Sequence, residues 1–169
     1  MRRLAAGDTG ALGDLYDLHC RSLRRFLTRA TADAEDVDDL VHATFLAAAK
    51  TADRYDGRLS CRPWLMGIAA QLLRRRRRTF ARLVAFVSSI GGQQAACADP
   101  RPALQARTDV SRALRTIAEA KRITFLMAEV EGLTCPEIAQ ALGIPVGTVW
   151  TRLHAARREL RRALEGDES

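Results

Sequence analysis

The chain has 169 residues and a formal net charge of +7, with abundant alanine, leucine and arginine and few aromatic residues. These three residue types are strong helix formers, and no run alternates as a strand does, so we predict an all-α protein. No apolar stretch reaches the 18 residues of a membrane span, no signal peptide is apparent, and the cysteines are too widely spaced for structural zinc. We therefore expect a cytoplasmic protein with free thiols and with no metal or other cofactor; the cysteines are Cys20, Cys61, Cys97 and Cys135.

The first two predicted helices occupy the N-terminal third of the chain. Asp8-Thr9 can cap the first, and apolar residues then recur at three- and four-residue steps from Leu12 to Leu27. A break at residues 31–33 precedes the second helix, which starts with acidic residues that complement the helix dipole. They are Glu35, Asp36, Asp38 and Asp39.

A third helix is predicted after Ser60, with Pro63 tolerated in its first turn. It leads into five consecutive arginines, Arg74 to Arg78. Part of this charge suits a helix C-terminus, but five arginines exceed what the helix dipole needs. The run indicates a polyanionic partner such as nucleic acid, and the alternative is a solvated basic surface.

Residues 79–108 are predicted to form a flexible linker. Their Ser88-Ser89, Gly91-Gly92 and Asp99-Pro100 pairs interrupt helices rather than continue them. The linker separates two small helical domains, at 8–78 and 109–165.

The C-terminal domain contains a predicted helix-turn-helix. Thr134 and Glu137 have the spacing of a capping box, and Gly143 supplies the left-handed backbone of a tight turn. A longer helix follows from about Val146. A short helix, a glycine turn and a long helix form the motif that inserts its second helix into the DNA major groove. On that helix Trp150 either faces DNA or packs on the preceding helix.

These motifs together resemble extracytoplasmic-function (ECF) sigma factors of the sigma-70 family. The run from Glu129 to Arg157 is similar to their region 4, and the run from Ala34 to Phe45 is similar to the core helix of region 2. The resemblance covers roughly residues 8–78 and 109–165. This sequence departs from the usual family pattern at a few positions: His42, Ala43, Gln71, Ala118 and Pro145.

The resemblance implies a protein that binds core RNA polymerase, at its largest-subunit clamp and its flap, and directs promoter recognition, DNA melting and transcription initiation. Promoter DNA and an anti-sigma factor are the further expected partners, and catalysis belongs to the polymerase. The implied polymerase-binding residues are Asp36, Asp39, Leu40 and Phe45, with the acids outward and the apolar side chains mostly inward. The implied −10 residues are Ser60, Cys61, Arg62, Gln71, Arg74 and Arg75. The implied −35 residues are Thr148, Trp150, Thr151, Arg152, His154, Ala155, Arg157 and Arg158.

Two other classes of function fit this sequence less well. A free-standing helix-turn-helix regulator would bind a symmetric operator as a dimer, but it leaves the acidic second helix and the arginine run without a role. An enzyme such as a nuclease lacks support, since the sequence shows no nucleophile–base signature and no phosphate-binding glycine loop.

Overall fold

The computed structural model describes residues 1–31, 37–90 and 109–165, with the side chains at 83–84, 86–90 and 109–111 left out. All regular structure in these ranges is helical, which confirms the predicted all-α class. A 3₁₀ turn spans Ala52–Arg54, and a π-helical segment, Leu126–Val130, continues α6 directly. The α-helices are α1 Arg2–Ala5, α2 Thr9–Ala30, α3 Val37–Lys50, α4 Cys61–Ile90, α5 Asp109–Thr116, α6 Glu119–Phe125, α7 Cys135–Leu142 and α8 Val146–Glu165.

Side-chain caps fix two of the helix starts. The Asp8 carboxylate accepts hydrogen bonds from the backbone N–H groups of Gly10 and Ala11, at 2.9 and 3.2 Å. The predicted capping box is confirmed: the Glu137 carboxylate accepts from the Thr134 N–H at 2.8 Å, and the Thr134 hydroxyl accepts from the Glu137 N–H at 3.4 Å. These bonds satisfy N–H groups that have no partner within the helix.

Gly143 ends α7 with φ 63° and ψ 42°, the left-handed conformation predicted for the turn. A residue with a Cβ is strained in this region, so glycine lets the chain reverse within a few residues. The reversal brings α8 against α7, and Ile138 and Leu142 of α7 share one core with Val149 and Leu153 of α8.

Helices α2, α3 and α4 form an N-terminal helical module. Its centre holds Phe26, Leu27, Val41, Leu65 and Ala69, all nearly inaccessible to solvent. Each large apolar side chain buried in this way contributes about 1.5–3 kcal/mol relative to exposure. This module carries the predicted polymerase and −10 residues.

Helices α5 to α8 form a C-terminal module. Ile123 and Leu126 of α6 and its π-helical extension pack against Val149, Leu153 and Ala156 of α8. Gly132 follows with φ 67° and leads into the cap of α7. The module packs α8 against α6 and α7, so one face of α8 is buried and the face that carries Trp150 is exposed.

Helix α4 is longer than the sequence analysis predicted, since it reaches Ile90 and includes twelve residues assigned to the linker. The physical reason is that no glycine or proline interrupts the chain between Gly67 and Gly91. The remainder of the predicted linker lies outside the described residues, as do residues 32 and 33 of the predicted break. The domain limits of 8–78 and 109–165 stay predictions.

The two modules pack against each other, which the sequence did not indicate. Helix α4 lies along α7, and one continuous hydrophobic core runs through both modules. At the closest approach, a methyl group placed on Gly67 would collide with the carbonyl of Ala141. The buried Arg122 of α6 donates from Nε to the Ala30 carbonyl at the end of α2, at 3.0 Å. We call this contact between the modules the seam.

Candidate nucleic-acid interface

The outer face of α8 carries most of the predicted −35 residues. Trp150 is 58% exposed, and Thr151, His154 and Arg158 are exposed beside it. Residues three and four positions apart are neighbours on a helix surface, so these four form one continuous patch. Thr148 and Ala155 lie half-buried at its edges. The structure thus leaves Trp150 pointing to solvent instead of packing it on α7.

Hydrogen-bonding groups and cations are both present on this face. The Thr151 hydroxyl donates to the Gly147 carbonyl at 2.9 Å and keeps its lone pairs available. Arg157 donates from Nε to the Glu129 carboxylate at 3.0 Å, and the side chains of this pair are 55% and 40% exposed. Such a solvated ion pair is weak, so phosphate can compete for Arg157. The face therefore has the chemistry of major-groove readout.

Three of the predicted −10 residues lie on the surface of the N-terminal module. Ser60 precedes α4, and Gln71 and Arg75 are exposed one turn apart on it. Cys61 is half-buried with its Sγ 3.9 Å from the Tyr55 hydroxyl, and the Tyr55 ring packs edge-on against Trp64. Trp64 is accordingly a packing residue that supports the start of α4.

The other two, Arg62 and Arg74, point into the seam. Arg62 forms an ion pair with Glu131, whose side chain is only 1% exposed. The Ser22 hydroxyl donates to the same carboxylate at 3.0 Å. One acid of the C-terminal module is thus held by two residues of the N-terminal module.

Arg74 meets a like charge across the seam. Burial lowers the pKa of Arg74, and the positive charge of Arg152 on α8 lowers it further. One guanidinium nitrogen of each, Nη2 of Arg74 and Nη1 of Arg152, is buried without a hydrogen-bond partner in the described residues. Arg152, predicted as a −35 residue, therefore faces inward, away from the exposed face of α8.

The predicted polymerase-binding residues of α3 divide by burial. Asp39 is exposed, whereas Leu40 and Phe45 are 4% and 3% exposed. Both side chains belong to the core of the N-terminal module, in keeping with the inward orientation expected for the apolar residues, and their part in polymerase binding stays a prediction. Asp36 lies outside the described residues. Beside Asp39, the exposed His42 stacks against Tyr16 at a ring distance of 6.2 Å.

An open cleft of about 780 Å³ lies between the modules, beside the arginine run. Its floor is apolar, and Leu40, Leu72 and Phe80 contribute to it. Arg75, Arg76 and Arg77 line its rim, and Arg77 donates across the seam to Glu119 at 3.0 Å. One arginine of the run on α4 is thus paired with an acid of the C-terminal module.

Several residues that matter to this arrangement were not recognised as functional from sequence: Gly67, Glu119 and Glu131. Each acts through a partner at least 42 positions away in the chain. No local pattern encodes a contact over that separation. Glu131 in particular has the sequence signature of an ordinary helix end.

Within residues 1–31, 37–90 and 109–165, no three or more His, Cys, Asp or Glu side chains gather in a group able to hold a metal ion. Among the helices that the structure describes, none combines the length and apolar character needed to span a membrane.

Comparisons with known proteins agree with the architecture. Family models described as Sigma-70 region 2 and Sigma-70 region 4 match residues 15–83 and 107–160. The chain is 30% identical to the ECF RNA polymerase sigma factor SigL of Mycobacterium tuberculosis, over 95% of this chain and 93% of that one. It is 29% identical to the RNA polymerase sigma factor NccH of Alcaligenes xylosoxydans xylosoxydans, over 99% of this chain and 94% of that one.

Two solved structures share the fold. The sigma factor RpoE of Bartonella quintana, in complex with the anti-sigma factor NepR, superposes with a TM-score of 0.73 at 21% identity, covering 89% of this chain and 94% of that one. CnrH, in complex with the cytosolic domain of CnrY, gives 0.69 at 24% identity, covering 98% and 95%. With both sigma regions in order and a 30% identical relative matched over nearly its whole length, the chain belongs to the ECF sigma factors of the sigma-70 family.

Proposed function

We propose that this sigma factor reads its promoter with two surfaces, the outer face of α8 for the −35 element and the start of α4 for the −10 element. The observation that carries the proposal is the exposed patch of Trp150, Thr151, His154 and Arg158 on a helix whose opposite face is locked into a helix-turn-helix. Family membership favours this assignment over a free-standing regulator.

At the −35 element, base recognition and phosphate binding fall to different side chains. Thr151 and His154 can hydrogen-bond to base edges, and Trp150 can make apolar contact with a thymine methyl group. Arg157 and Arg158 bind phosphates on either side of the groove. Phosphate contacts set the position of the helix, and base contacts carry the sequence preference.

At the −10 element, Ser60, Cys61, Arg62 and Gln71 would surround a base flipped out of the melted strand. Unstacking a base costs a few kcal/mol, which capture in a protein pocket offsets. Arg74 and Arg75 would hold the adjacent phosphates. This pocket is proposed from the family resemblance and from the exposure of Ser60 and Gln71.

Core RNA polymerase would bind along the exposed edge of α3, at Asp39 and at Asp36 just before the helix. Leu40 and Phe45 would support this edge from below. The polymerase carries out catalysis, so we propose that the chain itself has no enzymatic activity. We also propose that it acts in the cytoplasm. Because both solved neighbours are complexes with a second protein, we further propose that an anti-sigma factor binds this chain.

Transcription of fragmented genomic DNA from the source organism tests the proposal. Core RNA polymerase alone is compared with polymerase plus this chain, and the 5′ ends of the transcripts are sequenced. We expect new start sites that share a two-part upstream motif. Failure to generate any such start site refutes the sigma-factor mechanism, and tight operator binding without polymerase supports the free regulator instead.

Two variants of α8 separate base contacts from phosphate contacts. Thr151→Val keeps the side-chain shape and removes the hydroxyl, so discrimination at one −35 position should fall by about 1–3 kcal/mol. Arg158→Met should weaken binding to all sequences alike and reduce the salt slope by about one unit. If the two variants behave identically, the assigned face is wrong.

The anti-sigma proposal has its own test. The chain is recovered from its own cells with an affinity tag, and the co-purified proteins are identified. A small second protein in stoichiometric amount supports the proposal, whereas recovery of RNA polymerase subunits alone contradicts it.

A further inference from the structure

The exposed side of the first two turns of α8 is apolar. Val146 is 40% exposed and Trp150 is 58% exposed, and because they lie four positions apart they are neighbours on the helix surface. Gly147 beside them has no side chain, and a Cβ there would meet nothing within 4 Å, so packing inside the protein does not require this glycine. The sequence from Pro145 to Thr151 contains no charged residue. Since the N-terminal residues of a recognition helix contact the base edges, α8 presents an apolar surface where base contacts are made.

The exposed hydroxyl of Thr151 is limited to one kind of hydrogen bond. It donates its proton to the Gly147 carbonyl, one turn earlier in the same helix, at 2.9 Å. A hydroxyl has one proton and two lone pairs, so Thr151 can still accept a hydrogen bond from a base but cannot donate one. The base edges of the major groove offer two kinds of amino donor, N6 of adenine and N4 of cytosine. Thr151 therefore suits one of these two bases.

One kind of base pair matches both properties of this surface. The C5 methyl group of thymine is apolar and projects into the major groove, and the adenine paired with it presents an amino donor. A G·C pair also has an amino donor, but it has no methyl group. An apolar side chain against the acceptors of guanine would also exclude water from them without replacing the lost hydrogen bond. The apolar pair and the acceptor hydroxyl thus match A·T pairs.

The charge around the apolar pair favours DNA over a protein as its occupant. Arg157 and Arg158 are exposed further along the same helix, and Arg161 and Arg162 follow them. Cations beside a base-reading surface bind phosphates and attract a polyanion from solution. The face of α8 opposite to Trp150 is buried in the helix-turn-helix, so the apolar pair and these cations are presented by one rigid helix.

We propose that Val146 and Trp150 read the methyl groups of two thymines in the −35 element, and that Thr151 accepts from the amino group of an adenine paired with one of them. Four residues of helix advance by about 6 Å, and base pairs by about 3.4 Å, so the two thymines lie one or two base-pair steps apart. The inference rests on the proposed function and deepens it, because it names the base pairs that α8 selects and adds Val146 to the residues that select them.

Exchange of thymine for deoxyuridine tests the proposal, because it removes the methyl group and keeps the hydrogen-bonding edge. The experiment uses core polymerase with the full chain, on a promoter identified by sequencing transcript 5′ ends. Each thymine of the −35 element, in either strand, is replaced in turn, and binding is measured in competition with the unmodified duplex. At two positions thymine should bind about fourfold more tightly than deoxyuridine, the effect of burying one methyl group. Deoxyuridine between the two promoter elements should have no effect.

Three variants assign the methyl contacts to side chains. Trp150→Ala should bring the preference for thymine over deoxyuridine to about one at the first of these positions. Val146→Thr keeps the side-chain shape and replaces a methyl with a hydroxyl, so it should reduce the preference at the second position. Arg158→Met is the matched control on the same helix: it should weaken binding to both duplexes alike and keep their ratio. Val146, Trp150 and Arg158 are all exposed, so these substitutions should leave the fold intact.

The outcomes separate this inference from the proposed function. Mapped start sites with a −35 motif that has no thymine in either strand would refute methyl recognition, and so would deoxyuridine that is tolerated at every position. If Trp150→Ala weakens binding to both duplexes equally, Trp150 contacts the polymerase or another protein, and the assignment is wrong. Absence of any mapped start site would instead count against the proposed function, and the inference would fall with it.

Discussion

Replacing the buried Arg122 with methionine should cause a large loss of stability. The side chain donates to the Ala30 carbonyl at 3.0 Å from Nε and to the Leu114 carbonyl at 3.3 Å from Nη1. A third approach, to the Arg115 carbonyl at 3.5 Å, is too long to count for much. Arg122 thus joins the end of α2 to the end of α5 from its position on α6.

The size of the loss follows from these bonds and from the cost of burial. Hydrogen bonds from a charged donor contribute about 1.5–3 kcal/mol each, so two are worth about 3–6 kcal/mol. Burial lowers the pKa of Arg122, which shows that enclosing the charge is itself unfavourable, and methionine escapes that cost. We therefore expect Arg122→Met to lower the free energy of unfolding by about 2–4 kcal/mol, or Tm by roughly 4–16 °C.

Urea and thermal unfolding followed by circular dichroism at 222 nm measure the effect. Arg122→Lys should fall between wild type and Arg122→Met, because an ammonium group can reach only one of the two carbonyls. Arg25→Met, on the exposed face of α2, is the control and should change stability by less than about 0.5 kcal/mol. If Arg122→Met is as stable as Arg25→Met, the bridging role assigned to Arg122 is refuted.

Thr134→Ala removes the capping box of α7 and should lower the free energy of unfolding by about 1 kcal/mol in urea, whereas Thr28→Ala, at an exposed site in the last turn of α2, should leave it nearly unchanged. Phe26→Ala removes a side chain that is 1% exposed and should lower the free energy of unfolding by about 3–5 kcal/mol. Leu18→Ala, at a site that is 74% exposed, is the control, and equal stability of the two variants would contradict the assigned core. Burial, aided by the charge of Arg62, lowers the pKa of His19 below its ordinary 6.5. The unfolded chain then binds this proton more readily, so stability should fall as the pH drops below about 6.5, and His19→Gln should flatten that fall in denaturant titrations at stepped pH.

The local structure of the C-terminal module was predictable because its signals are short-range. The capping box of Thr134 and Glu137 and the glycine of the turn lie within ten residues of one another, and both act on the backbone beside them. The exposed patch on α8 followed from helical periodicity, since Val149, Leu153 and Ala156 define the opposite, buried face. Its role in reading the −35 element stays a prediction.

Other expectations concerned which side chains are buried and where a helix ends, and the residue pattern of a single helix does not determine either. The resemblance implied Leu40 and Phe45 as polymerase-binding residues that point mostly inward, and the structure places both in the buried core. The third helix was expected to end at the arginine run, yet arginine is a good helix former and α4 continues to Ile90. Asp36 and residues 91–108 lie outside the described residues, so expectations about them stay open.

The sequence by itself determined the helical class, the caps and turn, and the family, because these rest on periodicity, on backbone preferences and on motifs of adjacent residues. Only the tertiary structure decided that the two modules share one core, that Arg62 pairs with Glu131 across it, and that Arg74 comes close to Arg152. The physical reason is that closure depends on complementary shape and charge, such as a missing side chain at Gly67 opposite Ala141 and one acid at Glu131 opposite Arg62. Neither residue of such a pair carries a recognisable signal in its own segment. The contact exists only once the folded chain brings the two residues together.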